Sequence, residues 1–252
     1  MSLRTLTLDG HAVACFELGS DPAGDGTGAV VLVHGIGVSS RYFGPLERDL
    51  SRTGRVVAPD LPGFGRSRMP DEPPLSVVEH ADVLAALIEE LGLDRPVVVG
   101  HSMGAQFVTE LAIRRPELVG ALVLVGPVVD PEAASLTRQG LRLAADFVRE
   151  PPRGAALQLR EYLRTGVRWY LATARHMVAY RLEERLPLVT VPVAVARGSR
   201  DPVSTSAFVR RLAASTGGTA EEIPGGAHVV QWSRPDAVRA LVERVRERVL
   251  PC

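Results

Sequence analysis

Short runs of consecutive apolar residues recur along the chain, at Ala29–Val33, Arg55–Ala58, Pro96–Val99, Ala121–Val125 and Val191–Ala196. A run of this length with no polar face predicts a strand covered on both sides. Between these runs the apolar positions repeat at helical spacing. Tyr42–Thr53 predicts one helix. Leu75–Leu91 predicts a stronger one, with Val78, Ala81, Leu84, Ala85, Ile88 and Leu91 on one face. Gln106–Arg114 predicts a third, ended by Pro116. Ser233–Leu250 predicts a C-terminal helix with Pro235 in its first turn. Ahead of these, Leu3–Leu8 and His11–Leu18 flank Asp9-Gly10, a two-residue hairpin signal. Strands alternating with helices predict the α/β class, a mostly parallel sheet with helices on both faces.

One stretch breaks the alternation. From Asp130 to Leu188 the pattern is helical, with no convincing strand, and residues 131–187 hold ten Arg against six Asp and Glu. An all-helical insert between two strands of a parallel sheet predicts a cap over the strands' C-terminal edge, where open α/β folds bind ligands. The expected organisation is a core of 1–129 and 189–252 and a cap (lid) of 130–188.

Composition then narrows the chemistry. In 252 residues, 29 basic side chains balance 29 acidic ones. No global basic field attracts phosphates, so a nucleic-acid partner is not expected. Every basic residue is Arg; Lys and Asn are absent. Without lysine there is no internal Schiff base and no Walker-type phosphate lysine. Cys15 and Cys252 are too few to make a metal site, and Cys252, with no residues after it here, is not expected to be a prenylation site. No cofactor and no metal are expected. Met1–Thr5 lacks the apolar core of a signal peptide, and the longest apolar stretch, Leu118–Val129, is too short to span a membrane. The expectation is a cytoplasmic protein, monomer or homodimer, acting on a small-molecule substrate.

The chemistry sits where strands end. Gly100-His101-Ser102-Met103-Gly104 follows a predicted strand and opens a predicted helix. That is the strand–turn–helix setting of a nucleophile elbow, with small residues on either side of the serine. Ser102 is the candidate nucleophile, and it needs a base. Of the six histidines, His228 lies on the loop before the last helix, after both the serine and a carboxylate in chain order. His101 adjoins Ser102 but points elsewhere in a sharp turn, and His80 is expected on the outer face of its helix. Asp201, in Gly198-Ser-Arg-Asp201-Pro202, follows the strand Val191–Ala196 and is the candidate to orient His228. Asp130, past Ala121–Val125, is its rival. An oxyanion hole needs two backbone N–H donors. Met103 supplies one, and Ile36, in His34-Gly35-Ile36-Gly37, the other. His34 reads as a brace for that loop and, with Trp169, Tyr170 and His176 of the cap, as a candidate for contact with substrate. Arg160, Arg164 and Arg168 form a helix stripe that reads as a solvated face.

These segments, with Asp60–Ser67 and Gly226-Ala-His228, resemble the α/β-hydrolase fold superfamily over nearly the whole chain. The resemblance implies an eight-stranded, mostly parallel sheet with an antiparallel second strand, and a helical cap after the sixth strand. It gives Asp60–Ser67 a structural role. Ser at the nucleophile position argues against haloalkane dehalogenases and epoxide hydrolases, which use Asp there. The absence of lysine argues against hydroxynitrile lyases, and His34–Gly37 departs from the Pro-His-Ala-Gly-Gly loop of type II thioesterases. The reading is a serine hydrolase of a carboxylic ester or lactone of a small or medium apolar molecule, with His228 titrating near pH 6–7. C–C bond hydrolysis, a non-hydrolytic biosynthetic cyclisation or rearrangement, and a ligand receptor on the same scaffold are the alternatives.

Overall fold

The computed structural model describes residues 2–21, 24, 26–69 and 72–249; Met1, Leu250 and Cys252 lie outside the described residues. The hairpin pairs β1 (Ser2–Leu8) with β2 (His11–Leu18). β3 (Val30–Val33), α1 (Gly44–Leu50), β4 (Val56–Asp60), α2 (Val77–Glu90), β5 (Val97–His101), α3 (Gly104–Arg114) and β6 (Ala121–Val125) follow. Four helices come next with no strand between them: α4 (Leu136–Phe147), α5 (Pro152–Thr165), α6 (Val167–Ala179) and α7 (Leu182–Arg185). β7 (Val193–Gly198), α8 (Ser206–Ser215), β8 (Thr219–Ile223), α9 (Val230–Ser233) and α10 (Pro235–Val249) complete the order.

The strands form one eight-stranded sheet in the order β1-β2-β4-β3-β5-β6-β7-β8. β2 runs antiparallel to both of its neighbours, and the remaining pairs are parallel. Because strand side chains alternate between faces, each central strand feeds two cores. Val31, Val33, Val98, Leu122 and Leu124 join one, under α2, α3 and α8. Val30, Leu32, Val97, Val99, Val123 and Val125 join the other, under α1 and α10. Neither face is left for water, which is why these strands read as unbroken apolar runs.

Local signals set the helix ends. Ser76 accepts from the Glu79 N–H, and Glu79 reaches back to the Ser76 N–H, closing a capping box at the start of α2. The buried stripe of α2 differs from the expected one in two places. Val78 is exposed, whereas His80 is buried. The stripe centres on Val77, Ala81, Leu84 and Ile88, which turns residue 80 inward, its ring stacked on Phe107 at 4.4 Å. Burial pushes its pKa down to about 4. Two elements escaped the apolar pattern. β8 is an edge strand of sequence TAEEI with only Ile223 buried, and α8 has a mixed surface. Among the described residues, no helix is long and apolar enough to cross a membrane.

Candidate active site

Parallel strands bring their C-terminal ends to one edge, so loops distant in sequence meet there. The turn after β5 carries Ser102 at φ +56°, a left-handed conformation unusual for a residue with a Cβ. The turn is held because there is no space to relax it. A Cβ on Gly104 would lie 2.4 Å from the Val33 carbonyl oxygen, and one on Gly100 would lie 2.6 Å from the Gly104 oxygen. The Ser102 N–H is anchored to the Val125 carbonyl at 2.9 Å.

Ser102 Oγ is 3.1 Å from His228 Nε2, and His228 Nδ1 is 2.9 Å from Asp201 Oδ2. The other oxygen of Asp201 accepts the Val203 and Ser204 N–H groups at 2.7 and 3.0 Å. The buried Arg197 guanidinium donates to the Asp201 and Ser204 carbonyls at 2.6 Å each and braces the same loop. Asp130, the rival carboxylate, is occupied elsewhere. It accepts from Thr205 Oγ1 at 2.7 Å and from Arg211 at 3.2 Å. Burial pulls the His228 pKa down, but the Asp201 carboxylate, with Asp146 and Glu150 behind it, raises it more, to about 9. That is above the 6–7 expected from sequence, because three carboxyl groups surround an imidazole for which one was foreseen.

Ile36 and Met103 are buried beside Ser102. Among the described residues neither N–H has a protein acceptor. Buried, unpaired N–H groups are rare and costly, and two of them near one hydroxyl can serve an anion. A Cβ on Gly35 would meet the Ser102 Cβ at 2.9 Å, so only glycine lets this loop come so close. His34 stays out of the cavity and ties the loop to β4: Nε2 accepts the Leu61 N–H at 2.9 Å, and Nδ1 donates to the Gly35 carbonyl at 2.8 Å. His101 faces away from the hydroxyl. Its Nε2 donates to the His228 carbonyl at 2.9 Å, while Nδ1 accepts the Tyr42 hydroxyl at 2.7 Å. Tyr42 in turn accepts the Gly35 N–H at 3.0 Å, so one chain of hydrogen bonds links both loops.

A cavity of about 140 Å³ opens over Ser102 and His228, roofed by α4, α5 and α6. Its wall is largely aliphatic and aromatic, including Leu136, Leu143, Tyr162, Tyr170, Leu171 and Met177, with Gln139, Gln158 and two histidines as polar members and no Asp, Glu or Arg. Of the four proposed pocket side chains Tyr170 lines it, and His34, Trp169 and His176 do not. Trp169 instead packs on Gly63, where a Cβ would lie 2.3 Å from its ring. Among the described residues no group of three or more His, Cys, Asp and Glu is placed to hold a metal ion.

Residues 30–241 match the model of the alpha/beta hydrolase family. The chain belongs to the alpha/beta hydrolase family. Among its relatives, Lipase LipV of Mycobacterium tuberculosis is 38% identical over 104 residues, 41% of this chain and 39% of that protein. The 2-hydroxy-6-oxo-6-phenylhexa-2,4-dienoate hydrolase of Burkholderia cepacia is 29% identical over 128 residues, 49% of this chain and 44% of that protein. The matched stretch thus spans less than half the length of these curated relatives. A thermophilic esterase from Thermogutta terrifontis superposes with a TM-score of 0.82 over 100% of both chains at 21% identity, a likeness of fold alone.

Proposed function

We propose that this chain is a serine hydrolase that cleaves a carboxylic ester or lactone of a small, uncharged, mainly apolar substrate. The supporting observation is the continuous line Ser102 Oγ, His228 imidazole, Asp201 carboxylate at 3.1 and 2.9 Å, opening into a cavity. In this reading His228 Nε2 takes the hydroxyl proton as Oγ attacks the carbonyl carbon. The Ile36 and Met103 N–H groups hold the oxyanion. Asp201 keeps the Nδ1–H tautomer and stabilises the imidazolium. His228 then gives its proton to the leaving alcohol oxygen, and water, activated the same way, releases the acid. Residues 130–188 act as a cap over a core of 1–129 and 189–252.

The cavity wall bears on the substrate. A volume of about 150 Å³ holds a benzene ring, so a cavity of about 140 Å³ suits an acyl group of about six carbons. C–C bond hydrolysis is the second reading, because dienoate hydrolases are among the relatives. A dienoate carries a carboxylate, and burying one in an apolar chamber without a cation is costly. With no Arg in the wall, the uncharged ester is favoured.

Incubation of the protein with a fluorophosphonate should give a single adduct by intact mass. Rates on p-nitrophenyl esters should peak near four to six acyl carbons and fall steeply beyond eight, while the vinylogous carboxylate substrates of dienoate hydrolases are not turned over. A folded protein that forms no adduct would remove the serine-hydrolase reading; turnover of the dienoate alone would replace it with the second.

The pH dependence has a defined sign. His228 works as a base only when neutral, and its neighbours raise its pKa above the ordinary 6.5. The rate kcat/KM should therefore still be climbing above pH 7, with its acid limb set by His228. A plateau already reached at pH 6 would contradict the carboxyl-rich setting of the imidazole.

A further inference from the structure

Two buried carboxyls take no part in the proposed chemistry, yet both reach its base. Asp146 lies in the last turn of α4, and Glu150 lies in the turn leading to α5. Asp146 Oδ1 accepts the His228 N–H at 2.9 Å, and Glu150 Oε1 accepts the Val229 N–H at 2.7 Å. Both bonds run from the helical insert to the loop between β8 and α9. Neither carboxyl lines the cavity. The remaining oxygens, Asp146 Oδ2 and Glu150 Oε2, are buried with no donor among the described residues.

The two carboxyls are neighbours that act on each other's charge. Two adjacent carboxyls in a buried site resist ionising together. Burial, helped by Asp146, pushes the Glu150 pKa up to about 7, and burial raises the Asp146 carboxyl as well. The titratable groups facing this pair are His228 and Asp201 at the edge of the sheet and Tyr162 of α5.

The histidine loop needs such anchors. It begins Pro224-Gly225-Gly226, and Gly225 sits at φ +71°. His101 holds the His228 carbonyl from the core side, and Asp146 holds its N–H from the insert side. Only the second contact is lost if the insert lifts.

We propose that Asp146 and Glu150 are positioning residues through which the helical insert fixes the backbone at His228 and Val229, so that the base is aligned only while the insert is docked. This rests on the serine-hydrolase reading for its kinetics but not for its geometry. A displacement of about 1 Å at a reacting group costs about a hundredfold in rate. Asp146→Ala should therefore lower kcat by about 10–100-fold with KM changed less than about threefold.

Conservative variants separate positioning from general stability. Asp146→Asn keeps an oxygen for the His228 N–H and should recover most of the loss. It also removes a negative charge from beside the imidazole, so the acid limb of kcat should move to lower pH. Glu150→Gln keeps an acceptor for Val229. It should recover most of what Glu150→Ala loses. Rescue by the conservative variants together with a shifted acid limb in Asp146→Asn is not the signature of a packing defect. Amide exchange over 225–229, which needs no turnover, should accelerate in Asp146→Ala. Unchanged exchange and unchanged kcat in Asp146→Ala would overturn the proposal. If Asp146→Ala does not fold, an Asp146→Asn variant whose acid limb stays put, or a Glu150→Gln variant as impaired as Glu150→Ala, overturns it as well. A wild type that forms no fluorophosphonate adduct defeats the hydrolase reading and leaves the exchange result standing on its own.

Discussion

Replacing Ser102 by Ala should abolish ester hydrolysis, lowering kcat by about 10⁴–10⁶ while KM stays within a few fold. The size follows from what remains. Without Oγ no acyl-enzyme forms, and the Ile36 and Met103 N–H groups can only polarise a carbonyl for slow attack by water. The fold should tolerate the change. Ala at φ +56° carries about the same strain as Ser, about 1–2 kcal/mol. Among the described residues Oγ makes one hydrogen bond, to His228. The melting temperature should thus stay within a few degrees of wild type. Ser102→Gly offers a sharper contrast, since it removes the strain as well as the nucleophile. It should be as inactive and at least as stable as the Ala variant. Single-turnover assays with a chromogenic ester, together with melts of both variants, test this. Retention of a tenth of the wild-type rate by Ser102→Ala would mean that bond cleavage does not pass through Ser102.

Much of this molecule was legible because the strands are buried on both faces. β2 and β6 have the predicted bounds, and β3, β4, β5 and β7 lie within two residues of theirs. β8 was not legible for the opposite reason. It is an edge strand with one buried residue, and its pattern of Glu and Thr resembles a loop. The meeting of the strand-end residues was readable because chain order, turn glycines and strand ends each constrain it independently; in the structure Ser102, Asp201 and His228 come together at one edge. The supports were not readable. Asp146, Glu150, Tyr42 and Arg197 are ordinary residues on helices, turns and a strand, and their meaning comes from contacts spanning 4 to 82 positions in sequence. Nothing local marks Asp146 as the partner of a histidine 82 residues away. The lining of the cavity was equally hidden. A helical insert packs three helices at angles the sequence does not state, so Tyr170 faces inward while neighbouring Trp169 turns to Gly63.

The turn that resemblance marks as structural makes the strongest stability prediction. Asp60 ends β4 and is buried. Its Oδ1 accepts the Ser40 N–H at 2.9 Å and the Ser40 hydroxyl at 2.6 Å, and its Oδ2 accepts the Arg66 N–H at 2.9 Å. The turn wraps tightly around this carboxylate, so a Cβ on Gly65, at φ +53°, would lie 2.3 Å from Oδ2. At its far end Ser67 Oγ accepts the Ala14 N–H at 2.8 Å, which fastens the turn to β2. Asp60→Ala would leave two backbone N–H groups and a hydroxyl without their acceptor. Each stranded buried group costs about 1–3 kcal/mol, and some of them will find water. A loss of about 3–5 kcal/mol is expected, a large part of the total stability of a typical domain. In a chain of this size that is a fall in Tm of about 10–15 °C. Asp60→Asn keeps an oxygen for Ser40 but turns an amide NH₂ toward the Arg66 N–H, so it should lose about half as much. Activity should fall too, at temperatures where the variant is still folded, because Ser40 follows directly on the loop bearing Ile36. Urea unfolding of the three proteins, with ester hydrolysis measured well below each midpoint, decides it. An Asp60→Ala variant within about 1 kcal/mol of wild type would show that water or a rearranged turn replaces the carboxylate, and that the position of the Ile36 N–H does not depend on it.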